Sequence, residues 1–370
     1  MGWNSWNTFG ENINEDLIKE TADAMVDTGL LDAGYNYLVI DDCWAEHERD
    51  SSGCLVPDAK KFPNGMKAVS DYVHSKGLKF GMYSCSGTLT CARYPGSYEH
   101  EFIDAETFAS WGVDYLKYDF CNHAPLIPGK YLYRRMGLAL ENCGRDILYA
   151  ACSWGAEETK DWIGTTGANI WRSTGDIFDT WKSVRDLMAM QEELHPYNGV
   201  GCFNDMDMLV VGMHGEGNVG LAGMSDKQYL AHFAIWCFMQ SPLMIGCDIR
   251  NMSAETKDIL TNKGLIGLDQ DTALRHPYRI AQWSGNTDDM FIYGKHLSDG
   301  ELAIGIFNMS EDPKNAQFNT EELALPESCG KTLQMHSLIT GEDTRPQNGA
   351  FGRKIEGFGC DIYRCKIVDK

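Results

Sequence analysis

The sequence predicts an α/β protein, a (β/α)8 TIM barrel followed by a small C-terminal antiparallel β-sandwich domain. Short apolar runs alternate with longer amphipathic stretches eight times, within about 265 residues, near the ~250 residues of a typical barrel. Beyond this region, short strand-like runs replace the helical pattern. We therefore expect a barrel over residues 1–277 and a β domain over residues 278–370. An open doubly wound sheet is the rival topology, and the count of eight favours the barrel.

The eight predicted strands are short runs rich in aliphatic and aromatic residues. They cover residues 2–6, 37–41, 79–83, 115–119, 148–152, 170–172, 203–209 and 242–247. Each run is followed by a stretch with apolar residues at helical spacing. The predicted helices cover residues 14–28, 66–76, 103–111, 131–143, 159–165, 181–194, 226–240 and 253–262. This alternation is typical of a parallel sheet with helices outside it.

The last part of the chain contains four strand-like runs with turn residues between them and no long helical pattern. These runs cover residues 290–293, 302–307, 332–338 and 361–368. The pattern predicts a small antiparallel β domain.

Composition limits the function. The net charge is −21, from 32 basic and 53 acidic side chains, which disfavours nucleic acid and anionic membranes as partners. No apolar run reaches the ~18 residues of a membrane span. Met1 leads directly into Gly2, so no signal peptide is visible, but a processed secreted chain would look the same and the compartment stays open. The 13 cysteines include no C-x-x-C pair, which gives no support for a structural zinc site.

Aspartates recur at the ends of the predicted strands. They are Asp41, Asp42, Asp119, Asp176, Asp205 and Asp207. In a barrel the carboxyl ends of the strands meet at one face, where active sites are built. Neighbouring aromatic residues such as Trp44 and Tyr83 suit a sugar, whose ring faces are apolar and whose hydroxyls need acceptors. The alternative interpretation is that each aspartate caps the helix that follows it.

Lys117 lies two residues before Asp119, so both side chains face the same side of one strand. The pair could contact a substrate or form a satisfied ion pair in the core. A barrel lysine beside carboxylates could also form a Schiff base, as in a lyase. A third alternative is a Mg²⁺ site made by Asp41, Asp119 and Asp207.

Residues 215–220 match the G-x-G-x-x-G pattern but lack the following helix and the early βαβ context of a dinucleotide site. They are interpreted as a flexible barrel loop.

Six motifs occur in the order seen in one enzyme family. They are MGWNSW at residues 1–6, IDDCW at 40–44, YLKYD at 115–119, CSWG at 152–155, WRSTGDI at 171–177 and FNDMDML at 203–209. Through them the chain resembles the α-galactosidase/α-N-acetylgalactosaminidase family of retaining glycoside hydrolases over nearly its full length. The resemblance implies a (β/α)8 barrel with an antiparallel β domain, and catalysis without a metal or organic cofactor.

The resemblance also implies residue roles. Asp119 is expected to be the nucleophile and Asp176 the general acid/base, with their carboxyl groups about 5–5.5 Å apart. Asp41 and Asp42 are expected to bind the 4- and 6-hydroxyls of the sugar. The remaining pocket residues implied by the motifs are Trp6, Tyr83, Lys117, Arg172 and Asp207.

The family also implies a disulfide that lines the pocket, formed here by Cys91 and Cys121. Cys43 usually pairs with a cysteine near the first strand, but Glu11 occupies that region. Cys54 is the nearest substitute partner.

Ser153 and Ala156 bear on the sugar bound. Many family α-galactosidases have a Glu, Asn or Gln at the first position and a bulkier side chain at the second. Small residues at both positions resemble the N-acetylgalactosaminidase pattern, which makes room for an acetamido group. We therefore expect a substrate with terminal α-galactose, with α-N-acetylgalactosaminides as the alternative. The sequence leaves a homo-oligomer open.

Overall fold

A computed structural model describes residues 1–280 and 289–370 of the chain. Its first part contains eight parallel strands. They are β1 (Gly2–Asn4), β2 (Tyr37–Val39), β3 (Lys79–Cys85), β4 (Tyr115–Asp119), β5 (Leu148–Cys152), β6 (Ile170–Arg172), β7 (Phe203–Asp205) and β8 (Met244–Ile245). The strands pair in the order β7-β6-β5-β4-β3-β2-β1-β8. Just beyond β7, Leu209 forms a parallel bridge with Ile245, which joins the two ends of the sheet. The predicted barrel is confirmed.

Nine α-helices occur within the described residues. They are α1 (Trp6–Phe9), α2 (Glu15–Asp27), α3 (Gly65–Ser75), α4 (Glu101–Trp111), α5 (Gly129–Asn142), α6 (Trp181–Leu194), α7 (Asp226–Met239), α8 (Ala254–Leu260) and α9 (Lys263–Asp269). In α2, the Asn14 side chain accepts a hydrogen bond from Leu17 N, and the helix buries Leu17, Ile18 and Met25 on one face. Such caps satisfy amides that have no partner inside the helix. None of these helices is both long and apolar enough to cross a bilayer.

The β domain is also confirmed. It contains β9 (Tyr278–Arg279), β10 (Met290–His296), β11 (Leu302–Asn308), β12 (Lys314–Asn319), β13 (Lys331–Ser337), β14 (Asp343–Thr344), β15 (Ala350–Ile355) and β16 (Cys360–Asp369). Six strands form one antiparallel sheet in the order β14-β13-β16-β11-β10-β9, and β12 pairs with β15 in a second. Side chains from both sheets, including Ile304 and Phe351, form one buried apolar core. The domain is therefore a small sandwich.

The chain divides into two compact units. The first comprises Met1–Met190, Tyr197–Met224 and Pro242–Thr261, and it holds all eight parallel strands. The second comprises Gln191–Pro196, Ser225–Ser241 and Asn262–Lys370. Within the second unit, the ring of Phe238 in α7 packs against the ring of Phe307, with centroids 6.1 Å apart. The helix is apolar on nearly every side, as expected of a buried helix.

Gly81 shows why the barrel strands approach closely around β3. A Cβ at this position would lie 2.7 Å from Cγ2 of Val39 and 3.2 Å from Cβ of Tyr115. These two side chains lie on the strands that flank β3, and they belong to one buried cluster with Ala150 and Ile170. The missing side chain therefore lets large residues from neighbouring strands fill the barrel interior.

Several boundaries differ from the sequence-based expectation. The first strand ends at Asn4, and the predicted helix over residues 159–165 is two 3-10 segments, Ala156–Asp161 and Ile163–Thr165. The last barrel helix was expected to end at Asn262, but the side chain of Asn262 accepts from Leu265 N and begins α9. The strands β12 and β15 were not predicted, because each contains only two or three apolar residues.

Cys43 and Cys54 remain free thiols in the structure, so the suggested bond between them is wrong. Cys43 is buried, and its amide donates to Asp42 Oδ1. Cys54 lies in a turn in which its amide donates to the side chain of Asp50. Each cysteine is thus held by its own local hydrogen bond. The expected disulfide between Cys91 and Cys121 is present.

Candidate active site

The carboxyl ends of the barrel strands converge on a pocket of about 220 Å³. This volume is below the ~300–1,000 Å³ of pockets for drug-sized ligands, and it suits a single sugar ring. The lining residues are Trp6, Asn7, Asp41, Asp42, Tyr83, Cys91, Lys117, Asp119, Trp154, Arg172, Asp176, Ile177, Phe178, Asp207, Met208, Asn218 and Val219. Most of the residues expected from the sequence are therefore brought together here. A larger groove of about 940 Å³ begins at the opposite ends of the strands, near Tyr37 and Lys79, and contains none of them.

Asp41 follows β2 and is fixed from several directions. Its Oδ2 accepts hydrogen bonds from Asn4 Nδ2 and Lys117 Nζ, both at 2.8 Å. Its Oδ1 accepts from the amide of Asp42 at 2.9 Å, and its own amide donates to Ser5 Oγ. A buried carboxylate needs such partners to remain charged. The first strand and its neighbours thus hold one acceptor at the pocket wall.

Asp42 lies beside Asp41 and is also buried. Its Oδ2 accepts from the amide of Ala92 at 2.9 Å and its Oδ1 from the amide of Cys43 at 2.7 Å. Burial raises the pKa of Asp42, and the neighbouring charge of Asp41 acts in the same direction. Ala92 follows Cys91, so the disulfide to Cys121 anchors the loop that supplies this donor.

Lys117 is the cation of this side of the pocket. Burial alone would lower its pKa, but the charges of Asp41 and Asp119 and the hydrogen bond to Asp41 act together against burial, and the pKa lies above its usual value. Its Nζ also lies 5.4 Å from the ring centroid of Tyr83. A Schiff base requires a neutral amine, and this environment keeps the amine protonated. The geometry therefore disfavours the lyase alternative.

Asp119 is the last residue of β4 and is buried. The hydroxyl of Tyr83 donates to its Oδ2 at 3.1 Å, and the amide of Phe120 donates to its Oδ1 at 2.9 Å. Burial raises the pKa of Asp119 to about 6, although the charge of Lys117 opposes the change. The carboxylate is thus oriented by two donors and shielded from water.

Arg172, the last residue of β6, connects two carboxylates. Its Nη1 lies 2.9 Å from Oδ1 of Asp207, and its Nη2 lies 3.0 Å from Oδ1 of Asp176. The side chain of Asp176 is 63% exposed, whereas those of Arg172 and Asp207 are buried. Partial burial would raise the pKa of Asp176, but the charges of Arg172 and Lys117 outweigh it and lower that pKa. Asp176 is therefore the accessible carboxylate of the pair.

The same contacts bear on the metal alternative. Asp41 is paired with Lys117 and Asp207 with Arg172, so two of the three suggested ligands already have cationic partners. A Mg²⁺ site is instead built from oxygen ligands that have no such cations among them. This donor set does not fit the ion.

Comparison with known proteins decides the family. The family described as alpha galactosidase A matches residues 1–271. The chain belongs to this alpha galactosidase A family. It is accordingly a glycoside hydrolase.

Curated relatives and a solved structure agree with this membership. The α-galactosidase of Oryza sativa subsp. japonica is 50% identical over 370 residues, covering 98% of this chain and 83% of the relative. That of Cyamopsis tetragonoloba is 42% identical over 364 residues, covering 98% and 85%. The crystal structure of α-galactosidase I from Mortierella vinacea superposes with a TM-score of 0.90 at 31% identity, covering 99% of this chain and 96% of that one.

Three of the residues that the family resemblance implied are not on the pocket wall. Cys121 does not line the pocket, but it is bonded to Cys91, which does. Ser153 is fully buried, and its Oγ lies 2.7 Å from Oγ1 of Thr159, which in turn donates to the carbonyl of Ala156. Trp154 is the residue of this segment that lines the pocket. Its φ of 58° is left-handed, which is unusual for a tryptophan and turns the chain here.

Sequence reasoning missed several members of this alpha galactosidase A site. Asn4 orients Asp41, and Phe178 and Asn218 line the pocket. The glycine-rich segment 215–220 did contain a signal for Asn218. The segment is interpreted from the sequence as a barrel loop, and Asn218 lies within it. Asn4 lies within the MGWNSW motif, but the motif alone indicated no role for it, since that role depends on contact with the neighbouring strand β2.

Proposed function

We propose that this protein is a retaining exo-glycosidase that hydrolyses terminal non-reducing α-D-galactosyl residues. The observation that carries the proposal is the contrast between Asp119 and Asp176, which line one pocket. Asp119 is buried and oriented by Tyr83, whereas Asp176 is exposed and held by Arg172. The α-galactosidases among the relatives support the substrate class. The catalytic function is assigned to residues 1–277, with residues 278–370 as the β domain.

The reaction follows a double displacement. In the first step Asp119 attacks C1 of the galactosyl unit, and the bond from C1 to the leaving oxygen breaks as that oxygen takes a proton from Asp176. In the second step Asp176 accepts a proton from water, and the water oxygen displaces Asp119 from C1. Two inversions at C1 give net retention. The scheme predicts the ~5–5.5 Å carboxyl separation typical of retaining enzymes.

In the empty pocket the pKa shifts of the two carboxyl groups run opposite to their proposed roles. Burial raises the pKa of Asp119 to about 6, whereas the charges of Arg172 and Lys117 outweigh partial burial and lower the pKa of Asp176. The proposed reaction needs ionised Asp119 and protonated Asp176. Positive charge that develops at C1 during bond cleavage favours ionised Asp119, and the proton then belongs on Asp176, where the leaving oxygen needs it.

The other polar side chains are assigned to binding. Asp41 and Asp42 are positioned to accept hydrogen bonds from hydroxyls, and Trp6 and Tyr83 supply apolar surface. Lys117, Arg172 and Asp207 complete the polar wall. The negative net charge is compatible with a neutral sugar.

The alternative substrate is an α-N-acetylgalactosaminide. The small side chains of Ser153 and Ala156 favour it, whereas the hydrogen bond between Ser153 and Thr159 and the place of Trp154 on the pocket wall favour plain galactose. We assign galactose as the preferred sugar.

Two measurements test the assignment. The first is kcat/KM for 4-nitrophenyl α-galactoside and for 4-nitrophenyl α-N-acetylgalactosaminide, and the galactoside is expected to be preferred. The second is proton NMR of the product formed first, which is expected to be α-galactose. Preference for the N-acetyl sugar would contradict the substrate, β-galactose would contradict the mechanism, and turnover of neither substrate would contradict both.

A further inference from the structure

Asp205 is the last residue of β7, two residues before Asp207, and it does not itself line the pocket. It pairs in register with Arg172 on β6, and its carbonyl accepts from the amide of Ser173 at 3.0 Å. Asp205 lines an inner cavity of about 30 Å³ together with Lys117, Arg172 and Asp207. Desolvation raises the pKa of Asp205 to about 6, with the charge of Arg172 opposing the change. Removing an aspartate from water costs free energy, so its presence at this position needs a structural reason.

The reason is the backbone of Asp207. Its φ of 89° lies in the left-handed region, where residues other than glycine are uncommon. Oδ1 of Asp205 accepts a hydrogen bond of 2.9 Å from the amide of Asp207. A carboxylate that bonds to the amide two residues on forms a local turn, which stabilises such a conformation. Asp205 therefore holds the backbone from which the Asp207 side chain projects.

The Asp207 side chain in turn holds the segment of Asp176. Its Oδ2 accepts from the amide of Ile177 at 2.7 Å, and its Oδ1 lies 2.9 Å from Nη1 of Arg172. The same guanidinium contacts Asp176 through Nη2. Asp207 thus binds both the residue after Asp176 and the cation beside it.

We propose that Asp205 is a positioning residue that acts through Asp207 to place Asp176 for proton transfer. This inference rests on the proposed acid/base role of Asp176. The essential feature is the accepting oxygen of Asp205, because it bonds to the Asp207 amide. A shift of about 1 Å in a catalytic group can cost about 100-fold in rate, so a support two residues away can affect catalysis strongly.

The test compares leaving groups. Methyl α-galactoside needs protonation of the departing oxygen, whereas 2,4-dinitrophenyl α-galactoside needs little, and kcat/KM reports bond cleavage in each case. Asp205→Ala and Asp205→Leu remove the acceptor, and Leu keeps the volume. Both are expected to lose about 30- to 100-fold on the methyl glycoside and less than about fivefold on the dinitrophenyl glycoside. Asp205→Asn removes the charge but keeps the acceptor, and it is expected to restore the methyl glycoside rate to within about fivefold of the unaltered protein.

A matched control is Asp269→Asn, a buried aspartate in the other unit whose pKa burial raises to about 7. Any loss in this variant is expected to be equal for the two substrates. The proposal would be overturned if Asp205→Ala lost kcat/KM equally on the two substrates. It would also be overturned if Asp205→Asn lost as much kcat/KM on the methyl glycoside as Asp205→Ala does. Failure of both the alanine and leucine variants to fold would assign Asp205 a structural role and would also overturn it.

Asp176→Ala separates this inference from the function it rests on. That variant is expected to show the same leaving-group dependence with a larger loss, because general acid catalysis contributes about 10²–10⁴-fold. If Asp176→Ala shows no such dependence, the acid/base assignment fails. If it does and Asp205→Ala does not, only the role of Asp205 fails.

Discussion

The hydroxyl of Tyr83 donates a 3.1 Å hydrogen bond to Oδ2 of Asp119. Tyr83 lies on β3 and Asp119 at the end of β4, and both are buried. Burial favours protonated Asp119, whereas this bond favours the ionised carboxylate that a nucleophile needs. Burial and the hydrogen bond from Tyr83 thus act in opposite directions on the charge of Asp119, and the pH dependence of catalysis should report the balance.

The acid limb of kcat/KM for 2,4-dinitrophenyl α-galactoside, whose departure needs little protonation by Asp176, is expected near the pKa of Asp119, about 6. The nucleophile acts when ionised, so activity is present above this pKa and is lost as the pH falls through it. Tyr83→Phe removes one donor to the carboxylate and is expected to move the limb upward by about one unit. Tyr149→Phe, which alters a buried tyrosine that bonds to the carbonyl of Tyr133, is the matched control and should leave the limb in place. A limb near pH 4 in the unaltered protein would contradict this expectation.

Asp119→Ala is expected to lower kcat/KM by several orders of magnitude, since no other carboxylate can bond to C1 in its place. Thermal unfolding of the variant should show a folded protein, because a smaller neutral side chain replaces a desolvated acid. The measurement is turnover of 4-nitrophenyl α-galactoside by both proteins. Full activity in the variant would refute the assignment of the nucleophile.

Lys117→Met is expected to lower stability by about 3–5 kcal/mol, because it leaves the buried carboxylate of Asp41 without its cation. The free energy of unfolding in urea measures the change. Lys67→Met breaks an exposed ion pair with Asp71 and should cost less than about 1 kcal/mol. Comparable losses in the two variants would show that burial does not govern the Lys117 contact.

Borohydride should trap no substrate on Lys117, in contrast to a Schiff-base enzyme.

Replacement of Cys91 and Cys121 together by serine is expected to cost about 2–4 kcal/mol, because the bond closes a loop with a sequence separation of 30 residues. KM should also rise, since the loop supplies the Ala92 amide to Asp42. Cys329→Ser, at an exposed free thiol, is the control and should change neither quantity. Unchanged KM in the double variant would mean that the loop keeps its place without the disulfide.

The fold could be predicted because its signals are local. The period of apolar residues changes from helix to strand along the chain, and it identified the eight barrel strands and the β domain. Where apolar residues are few, as in β12 and β15, the same signal failed. Strand ends were also misplaced: the predicted strand over residues 203–209 stops at Asp205, and the positive φ at Asp207, which keeps it from continuing, has no signature in the sequence.

The sequence by itself determined which side chains are available and in which order, including the carboxylates Asp119 and Asp176. Only the tertiary structure decided which of them share a pocket and which partners tune them. Asn4 reaches Asp41, Asp205 supports Asp207, and Trp154 rather than Ser153 lines the wall. The physical reason is that these contacts join different strands or depend on a local backbone conformation. Hydrophobic periodicity records which residues are buried, but it does not record the neighbours that each meets once the sheet has closed.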